Sequence, residues 1–313
     1  MTMETNAFNS TAAAGNKEDI SDVIYNVDPY DCPFLTSIDD VKSDNKLHQW
    51  QTDVLAAASS TNYHLEGDAE SADAQTATTV VSNTCQISKK IPRVSGSQQA
   101  ISHYGREDEM AYLQLKAAKE LRTDMETQLL ANNAEVTGDT TTIRELGGIG
   151  AWLITNVDKA DDGTTGTGLG NTARTDGTAR AFTESQLKSV LRKCWDSGGN
   201  PDVIMLGSFN KQQMSTFAGN GTRYSENDGS LETAIDIYKS DFGQIDVLPN
   251  RFQRASDGLV LQKDLFAVAY LRRPHVEELA KTGDARIQAM RVEYTLECRN
   301  EAGSGIVADL TSS

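Results

Sequence analysis

Long apolar runs, paired cysteines and basic clusters are all missing from this 313-residue sequence. No apolar stretch approaches the roughly 18 residues that a membrane span needs, so we expect no contact with a bilayer. The first residues show no basic cluster followed by an apolar core, so no secretion signal is expected. The four cysteines form no C-x-x-C pair, and we expect them to be reduced and partly buried. They are Cys32, Cys85, Cys194 and Cys298.

Motifs for catalysis and cofactor binding are missing too. There is no G-x-S-x-G, no phosphate-binding loop and no metal-ligand spacing among the four histidines. Gly166–Gly170 resembles half of a dinucleotide fingerprint, but it follows two aspartates rather than a strand. Asp158–Gly163 resembles the start of a calcium loop, yet Ala160 and Leu169 stand where ligands are needed. We expect no enzyme and no catalytic, cofactor or metal residues, and leave loose cation binding at Asp158–Gly163 open.

The charge balance is strongly acidic, with a formal net charge of −16. Phosphate binding depends on lysine and arginine, so this balance argues against a protein that grips nucleic acid. It allows a protein that lies near nucleic acid without binding it. Copies of the chain repel one another at long range.

The clearest element is a helix predicted over about residues 106–133. Apolar residues recur there at spacings of three and four, which places them on one stripe. Such a helix would be roughly 40 Å long at 1.5 Å per residue. The stripe consists of Met110, Leu113, Ala117, Leu121, Met125 and Leu129.

Residues 1–46 read as extended and solvated, with nine acidic residues and three lysines. Pro29 and Pro33 disfavour helix in the residues that precede them. Apolar residues are confined mainly to Ile20–Val27 and Pro33–Leu35. The segment is either a disordered tail or an arm that lies on another surface, since it cannot bury enough to fold alone.

Residues 47–94 predict a long β-hairpin. Trp50, Thr52 and Val54 alternate on the outward strand, and on the return strand one face collects Val81, Cys85, Ile87 and Ile91. Between Asp53 and Ser88 there are five acidic residues and no lysine or arginine. A two-stranded ribbon needs a partner surface. That surface is either the chain's own domain or a neighbour.

The second half of the chain predicts an α/β or α+β arrangement with a mixed sheet. Residues 146–154 read as a turn and a strand, and residues 158–178 as a loop that is flexible or packs on a neighbour. Thr183 and Gln186 form a capping box that opens a helix. Residues 286–300 alternate strictly and predict a long final strand. Further predicted strands are Val203–Leu206, Ile235–Tyr238, Gln244–Leu248, Leu259–Leu261 and Leu265–Leu271, with a short helix from Ser208 to about Phe217.

This order of elements resembles the major capsid proteins of tailed bacteriophages with the Hong Kong 97 fold. The resemblance covers nearly the whole chain and rests on Asp28–Leu35, the hairpin, the long helix followed by Gly147–Gly150, and the final strand. The family implies an α+β fold with these parts: an N-terminal arm (1–46), an extended hairpin or E-loop (47–96), the spine helix and start of the peripheral domain (97–155), a flexible Gly/Thr loop (156–180), an axial α/β domain (181–274) and a long strand that completes the peripheral domain (275–313).

The resemblance implies a structural subunit of an icosahedral or prolate head shell that encloses double-stranded DNA. Its partners would be copies of itself in hexameric and pentameric capsomers, with portal, separate scaffolding and decoration proteins, and DNA close by without specific binding. The protein would be located in the virion after assembly in the host bacterial cytoplasm. The alternatives are a non-capsid phage structural or binding module, and an enzyme with an unrecognised site.

Two sets of opposite charge suggest contacts between subunits. We expect the acidic hairpin tip to dock on an arginine-bearing surface of a neighbour. The acidic set is Glu66, Asp68, Glu70 and Asp73, and the basic set is Arg251, Arg254, Arg272 and Arg273. Some members of the family crosslink lysine to asparagine between subunits. Lys89 and Lys90 lie at the hairpin base and not at its tip, so we expect no covalent crosslinks.

Overall fold

One 21-residue helix and one 14-residue strand are the longest elements of the described chain, followed by a strand and a helix of 13 residues each. The computed structural model describes residues 29–67, 72, 74–103, 105–217 and 236–312. The helices are α1 (Pro33–Ser37), α2 (Gly96–Ala100), α3 (Glu109–Leu129), α4 (Ile149–Trp152), α5 (Glu184–Asp196) and α6 (Ser208–Met214), with 3₁₀ turns at Lys263–Leu265 and Glu301–Gly303. The strands are β1 (Asp39–Lys42), β2 (Leu47–Thr52), β3 (Thr79–Thr84), β4 (Gln86–Lys90), β5 (Arg93–Ser95), β6 (Val157–Asp158), β7 (Val203–Leu206), β8 (Ile237–Ser240), β9 (Gly243–Pro249), β10 (Gly258–Leu261), β11 (Phe266–Glu278), β12 (Ala285–Cys298) and β13 (Gly305–Val307).

Helix α3 is the predicted spine helix, and its stripe faces the core. Five of the six stripe residues are buried, and Leu113 is half-buried. The helix is shorter than predicted, about 31 Å at 1.5 Å per residue. Its start is fixed by Asp108, whose carboxylate accepts the N–H of Ala111 at 3.0 Å and so caps the first turn. Hydrophobic spacing alone cannot locate such a cap.

The first sheet joins the arm, the hairpin base and the long strands. Its strand order is β1-β11-β12-β4, with β5 pairing further along β12. Strands β11 and β12 run antiparallel from Phe266 opposite Cys298 to Glu278 opposite Gln288. The predicted alternation of β12 is confirmed on one of its faces. Val292 lies on that face and packs in the same core as the buried residues of α3. The opposite face is also buried at its C-terminal half, because other elements cover it.

The second sheet is the predicted mixed sheet, in the order β6-β13-β10-β7-β9-β8. Helix α5 begins with the predicted capping box of Thr183 and Gln186. Its four predicted inward residues are all buried in a second core. These residues are Leu187, Val190, Leu191 and Cys194. The segment 146–154, however, contains the buried helix α4 rather than a strand.

The strand pairing does not follow the expected boundary between residues 274 and 275. That boundary falls inside β11, which pairs with β12 and β1 in the first sheet. Strand β13, expected to complete the peripheral part, pairs instead with β10 and β6 in the second sheet. Each sheet therefore draws strands from distant segments, which a division along the sequence cannot represent.

The hairpin base has the predicted pairing, from Leu47 opposite Thr84 to Thr52 opposite Thr79. The return strand, however, is interrupted at buried Cys85, whose N–H bonds the carbonyl oxygen of Lys46 at 2.7 Å. Beyond it, β4 pairs with β12. The alternation of buried and exposed residues shifts by one residue at this interruption. Ile87 and Ile91 are therefore exposed, and the prediction that they share the buried face of Val81 is wrong.

Glu126 on α3 joins three parts of the chain through one buried carboxylate. It accepts the backbone N–H groups of Phe34 at 2.9 Å and Leu35 at 2.7 Å, and Nδ2 of Asn250 at 2.7 Å. The arm helix α1 and the turn after β9 are thereby fixed to the C-terminal end of the spine helix. Burial raises the pKa of the Glu126 carboxyl, and the three hydrogen bonds act in the opposite direction.

Replacing Glu126 with Gln should lower the free energy of unfolding by about 2 kcal/mol, because an amide N–H₂ group would face a buried backbone donor. Denaturant unfolding of the purified chain measures this loss. Glu120→Gln on the same helix is the matched control. Its carboxylate is about half exposed and lies 3.8 Å from Lys90, so its loss should stay within about 0.5 kcal/mol. Equal unfolding free energies of the two variants would contradict the role of Glu126 in joining these three parts of the chain.

Candidate assembly surfaces

The hairpin is fixed at its base by polar contacts to the first sheet. Asn83 is buried, donates to the carbonyl oxygen of Leu296 at 2.8 Å, and exchanges hydrogen bonds with both backbone groups of Gly147. The indole N–H of Trp50 donates to the carbonyl oxygen of Cys298 at 2.9 Å. His48 Nε2 lies 2.7 Å from Glu297 Oε2. The orientation of the hairpin is therefore set where it leaves the body of the protein.

Beyond this base the hairpin exposes large apolar side chains. Val54 is 84% exposed, Leu55 94%, Tyr63 78% and Leu65 82%. Large apolar side chains are costly to leave in water, and several of them exposed on one element mark a candidate interaction site. The described residues between 53 and 78 therefore form the candidate docking element, which we call the distal hairpin.

The acidic set of the distal hairpin is only partly described. Glu66 is exposed and precedes Gly67, which adopts a positive φ of 83°. Asp68, Glu70 and Asp73 lie outside the described residues. Glu66 is thus the acidic member whose surroundings can be stated.

The structure does not bring the four arginines together. Arg251 and Arg254 lie in the turn between β9 and β10, and Arg272 and Arg273 lie on β11. Arg251 is exposed, and among the described residues no ion pair involves it. Arg254 instead binds the carboxylate of Asp176 and lies 3.3 Å from Asp257. Its charge is therefore engaged within the chain.

The two arginines on β11 also have partners in their own chain. Arg272 Nε lies 2.8 Å from the buried carboxylate of Glu293. That carboxylate is held from the other side by Arg144 Nη2 at 2.6 Å. Arg273 reaches Asp40 at 3.2 Å, but its side chain is 67% exposed, so this pair is weak. Of the four arginines, Arg251 best retains the expected docking role.

A buried arginine that the sequence did not indicate organises the loop over 158–178. The Arg174 side chain has no exposed surface and lies 2.7 Å from Asp257 and 3.4 Å from Asp309. Asp309 also accepts the N–H groups of Ala160 and Gly177, both at 3.0 Å. The loop therefore packs on its own chain, through contacts that the sequence analysis did not predict. No local pattern could have identified a pair between residues so distant in sequence.

Two acidic residues of the candidate cation loop, Asp158 and Asp162, already have partners in the chain. Asp158 pairs with Arg180 at 2.5 Å, and Asp162 accepts the N–H and hydroxyl of Thr178. Within the described ranges, no three His, Cys, Asp or Glu side chains are grouped so as to hold a metal ion. In the same part of the chain, no helix combines the length and apolar character that a bilayer crossing demands.

All four cysteines are free and buried. Burial raises the pKa of Cys32 to about 11 and that of Cys194 to about 12. Thiolate is the reactive form of cysteine, so these groups are unreactive near neutral pH. Their role is packing.

The known proteins to which this chain is similar are capsid proteins. A curated relative, the major capsid protein of Escherichia phage Phieco32, is 25% identical over 333 residues and covers 94% of both chains. Among solved structures, the capsid asymmetric unit of cyanophage A-1(L) matches with a TM-score of 0.67 at 13% identity, covering 97% of this chain and 98% of that one. The capsid of a native GTA particle matches with a TM-score of 0.65 at 12% identity, covering 96% and 98%. These likenesses confirm the α+β, Hong Kong 97-type fold class.

The family model described as SU10 major capsid protein matches residues 3–311, which is nearly the whole chain. The long helix, the braced strands and the projecting hairpin are thus the parts of a shell subunit, and the chain belongs to the SU10 major capsid protein family.

Proposed function

We propose that this chain builds the closed shell of a phage head, icosahedral or prolate, which encloses double-stranded DNA. The observation that carries the proposal is the hairpin, which is fixed at its base and apolar at its exposed far end. The subunits would form hexameric and pentameric capsomers. The family assignment leaves no support for the enzyme alternative.

The form of the hairpin supports contacts that close into rings. A projecting element and the surface that receives it are different patches of the same chain. Such head-to-tail interfaces generate closed rings when the rotation between subunits closes. Each exposed apolar side chain of the distal hairpin that becomes buried adds about 1.5–3 kcal/mol of driving force.

Further partners belong to the same proposal. Scaffolding, portal and decoration proteins would act on the assembled chain, and assembly would take place in the bacterial cytoplasm before the protein enters the virion. A solved phage G structure contains both major capsid and decoration proteins, and its major capsid fold is similar to this chain. The net charge of −16 supports packaged DNA that lies nearby without tight binding.

Removing the apolar character of the distal hairpin should prevent assembly. Tyr63→Ser with Leu65→Ser should abolish closed particles in electron micrographs of the expressed protein, because the contact area is lost. The unfolding free energy of the subunit should change by no more than about 0.5 kcal/mol, since both side chains are exposed.

The matched control is Ile237→Ser, an apolar residue that is 50% exposed at the edge of the second sheet. This variant should assemble. If the native chain forms no particles in cells or at high concentration, the proposed function is wrong. If the double variant assembles normally, the distal hairpin is not the docking element.

A charge swap tests the expected docking of the acidic tip. Glu66→Lys with Glu70→Lys should impair assembly, and Arg251→Glu should partly restore it. Each exposed pair is worth only about 0–1 kcal/mol, but the contact is repeated around the shell. Particle yield at low and high salt measures the effect, because salt screens exposed charges.

Arg254→Glu is the informative control for this swap. It should fail to restore assembly and should lower the unfolding free energy by about 1–3 kcal/mol, since it places a carboxylate against Asp176 and Asp257. Normal assembly of the acidic-tip variant at low salt would contradict docking through charge.

The shell should be held together without covalent crosslinks. Lys90 lies 2.8 Å from Asp124 of its own spine helix, and the distal hairpin contains no lysine. Mature particles boiled in detergent should therefore give one band at the subunit mass on a denaturing gel. A ladder of oligomers would show that the subunits are covalently crosslinked.

A further inference from the structure

A groove with partly apolar walls lies along the outer side of the spine helix, beside the start of the described chain. Its volume is about 340 Å³, and one wall is formed by Pro29 and Tyr30 of the arm. The apolar side chains that border it remain largely in water, since Leu115 is 62% exposed and Tyr30 is 56% exposed. The other wall consists of the α3 residues Tyr112, Leu115, Lys116, Lys119, Glu120 and Thr123.

The arm runs along α3 toward the N-terminal end of that helix. The N–H of Phe34 bonds Glu126 near the C-terminal end, and the Tyr30 ring lies 4.5 Å from Nζ of Lys119, about two turns earlier. Pro29, where the description of the chain begins, already lines the groove. The groove is thus the direct continuation of the path that the arm follows.

The exposed apolar residues of α3 continue the same line. Leu115 precedes Lys119 by four residues, and Tyr112 precedes Leu115 by three, so all three side chains lie on one side of the helix. The arm covers this side from Glu126 to Lys119. Beyond Lys119, the described residues leave Leu115 exposed.

Two lysines give the groove a positive border. Lys116 lies 3.9 Å from Glu120, whose carboxylate is also 3.8 Å from Lys90. Among the described residues no ion pair involves Lys119, which faces the Tyr30 ring instead. Apolar walls with a positive border suit a segment that is both apolar and acidic, because such a segment matches the groove in both respects.

The sequence directly before Pro29 has this composition. Residues 18–28, which lie outside the described residues, contain four carboxylates and no lysine or arginine. The carboxylates are Glu18, Asp19, Asp22 and Asp28, and the apolar side chains among them are Ile20, Val23, Ile24, Tyr25 and Val27.

The length of the chain also fits. An extended chain spans at most about 3.3–3.6 Å per residue, so Val27 can reach about 10 Å beyond Tyr30. Tyr112 lies seven residues before Lys119 on α3, which is also about 10 Å at 1.5 Å per residue. Val27 and the apolar residues before it are therefore within reach of Leu115 and Tyr112.

We propose that residues 20–27 bind in this groove of their own chain, with their apolar side chains against Leu115 and Tyr112 and their carboxylates beside Lys116 and Lys119. The tether at Pro29 favours the chain's own segment over that of a second copy, because it keeps the effective concentration of the segment high. The contact belongs to the single chain and does not rest on the proposed function.

Hydrogen exchange of the unassembled, full-length chain tests the contact. The amides of residues 20–27 should exchange about tenfold more slowly than those of a free peptide with the same sequence. Leu115→Ser should remove most of this protection, because it takes away the apolar wall. Ile143→Ser is the matched control, since Ile143 is 78% exposed and does not line the groove, and it should leave the exchange unchanged.

A charge swap tests the positive border. Lys116→Glu with Lys119→Glu should speed the exchange of residues 20–27 up to about fivefold, with a larger effect at low salt. Adding Asp22→Lys with Asp28→Lys should restore most of the protection. Lys89→Glu, an exposed lysine on β4, is the control for charge alone and should have no effect.

Three results would overturn the inference. They are exchange of residues 20–27 at the rate of the free peptide, native protection in Leu115→Ser, and protection that disappears when the protein is diluted, which would assign the groove to the arm of a second copy. Unchanged protection of α3 would show that each variant remains folded. All three results leave the proposed function standing, since no assembly is measured.

Discussion

The arrangement of the subunit depends on the hydrogen bonds that the buried carboxylate of Glu126 accepts. It is expensive to place a carboxylate away from water unless its oxygens are hydrogen-bonded. In this case the cost is offset, because Glu126 satisfies two backbone donors of the arm and the Asn250 amide after β9. None of these donors is close to the helix in sequence. The arm, the spine helix and the second sheet therefore hold one another in place.

The same principle recurs wherever distant segments meet. Asn83 joins the hairpin to β12, Glu293 joins β11 to the loop that carries Arg144, and Arg174 joins the Gly/Thr loop to Asp257 and Asp309. Each contact is buried on at least one side, so its geometry is specific and its loss is costly. The distal hairpin is different, because it leaves its large apolar groups in water. The chain thus separates a firmly connected body from an element whose large apolar side chains the chain itself leaves uncovered.

Local periodicity predicted the elements that this body is made of. The stripe of α3, the capping box and inward face of α5 and the alternation of β12 can be read from neighbouring residues, because packing imposes repeats of 3.6 and 2. The family resemblance depended on the order of those elements. The interruption at Cys85, the internal pairing of Arg254 and the burial of Glu126 could not be read in this way. Each depends on a partner that only the folded topology brings close.

Charge gives the hairpin a further physical role. Subunits with a net charge of −16 repel one another, but at physiological salt this repulsion extends over only about 8 Å. Apolar contact acts at shorter range than that and gains free energy in proportion to the area it covers. An element that reaches away from the charged body makes this contact while the bodies stay further apart. A long hairpin whose apolar distal part lacks basic residues is therefore a physically consistent way for an acidic subunit to bind its own copies, and it makes the strength of assembly depend on salt.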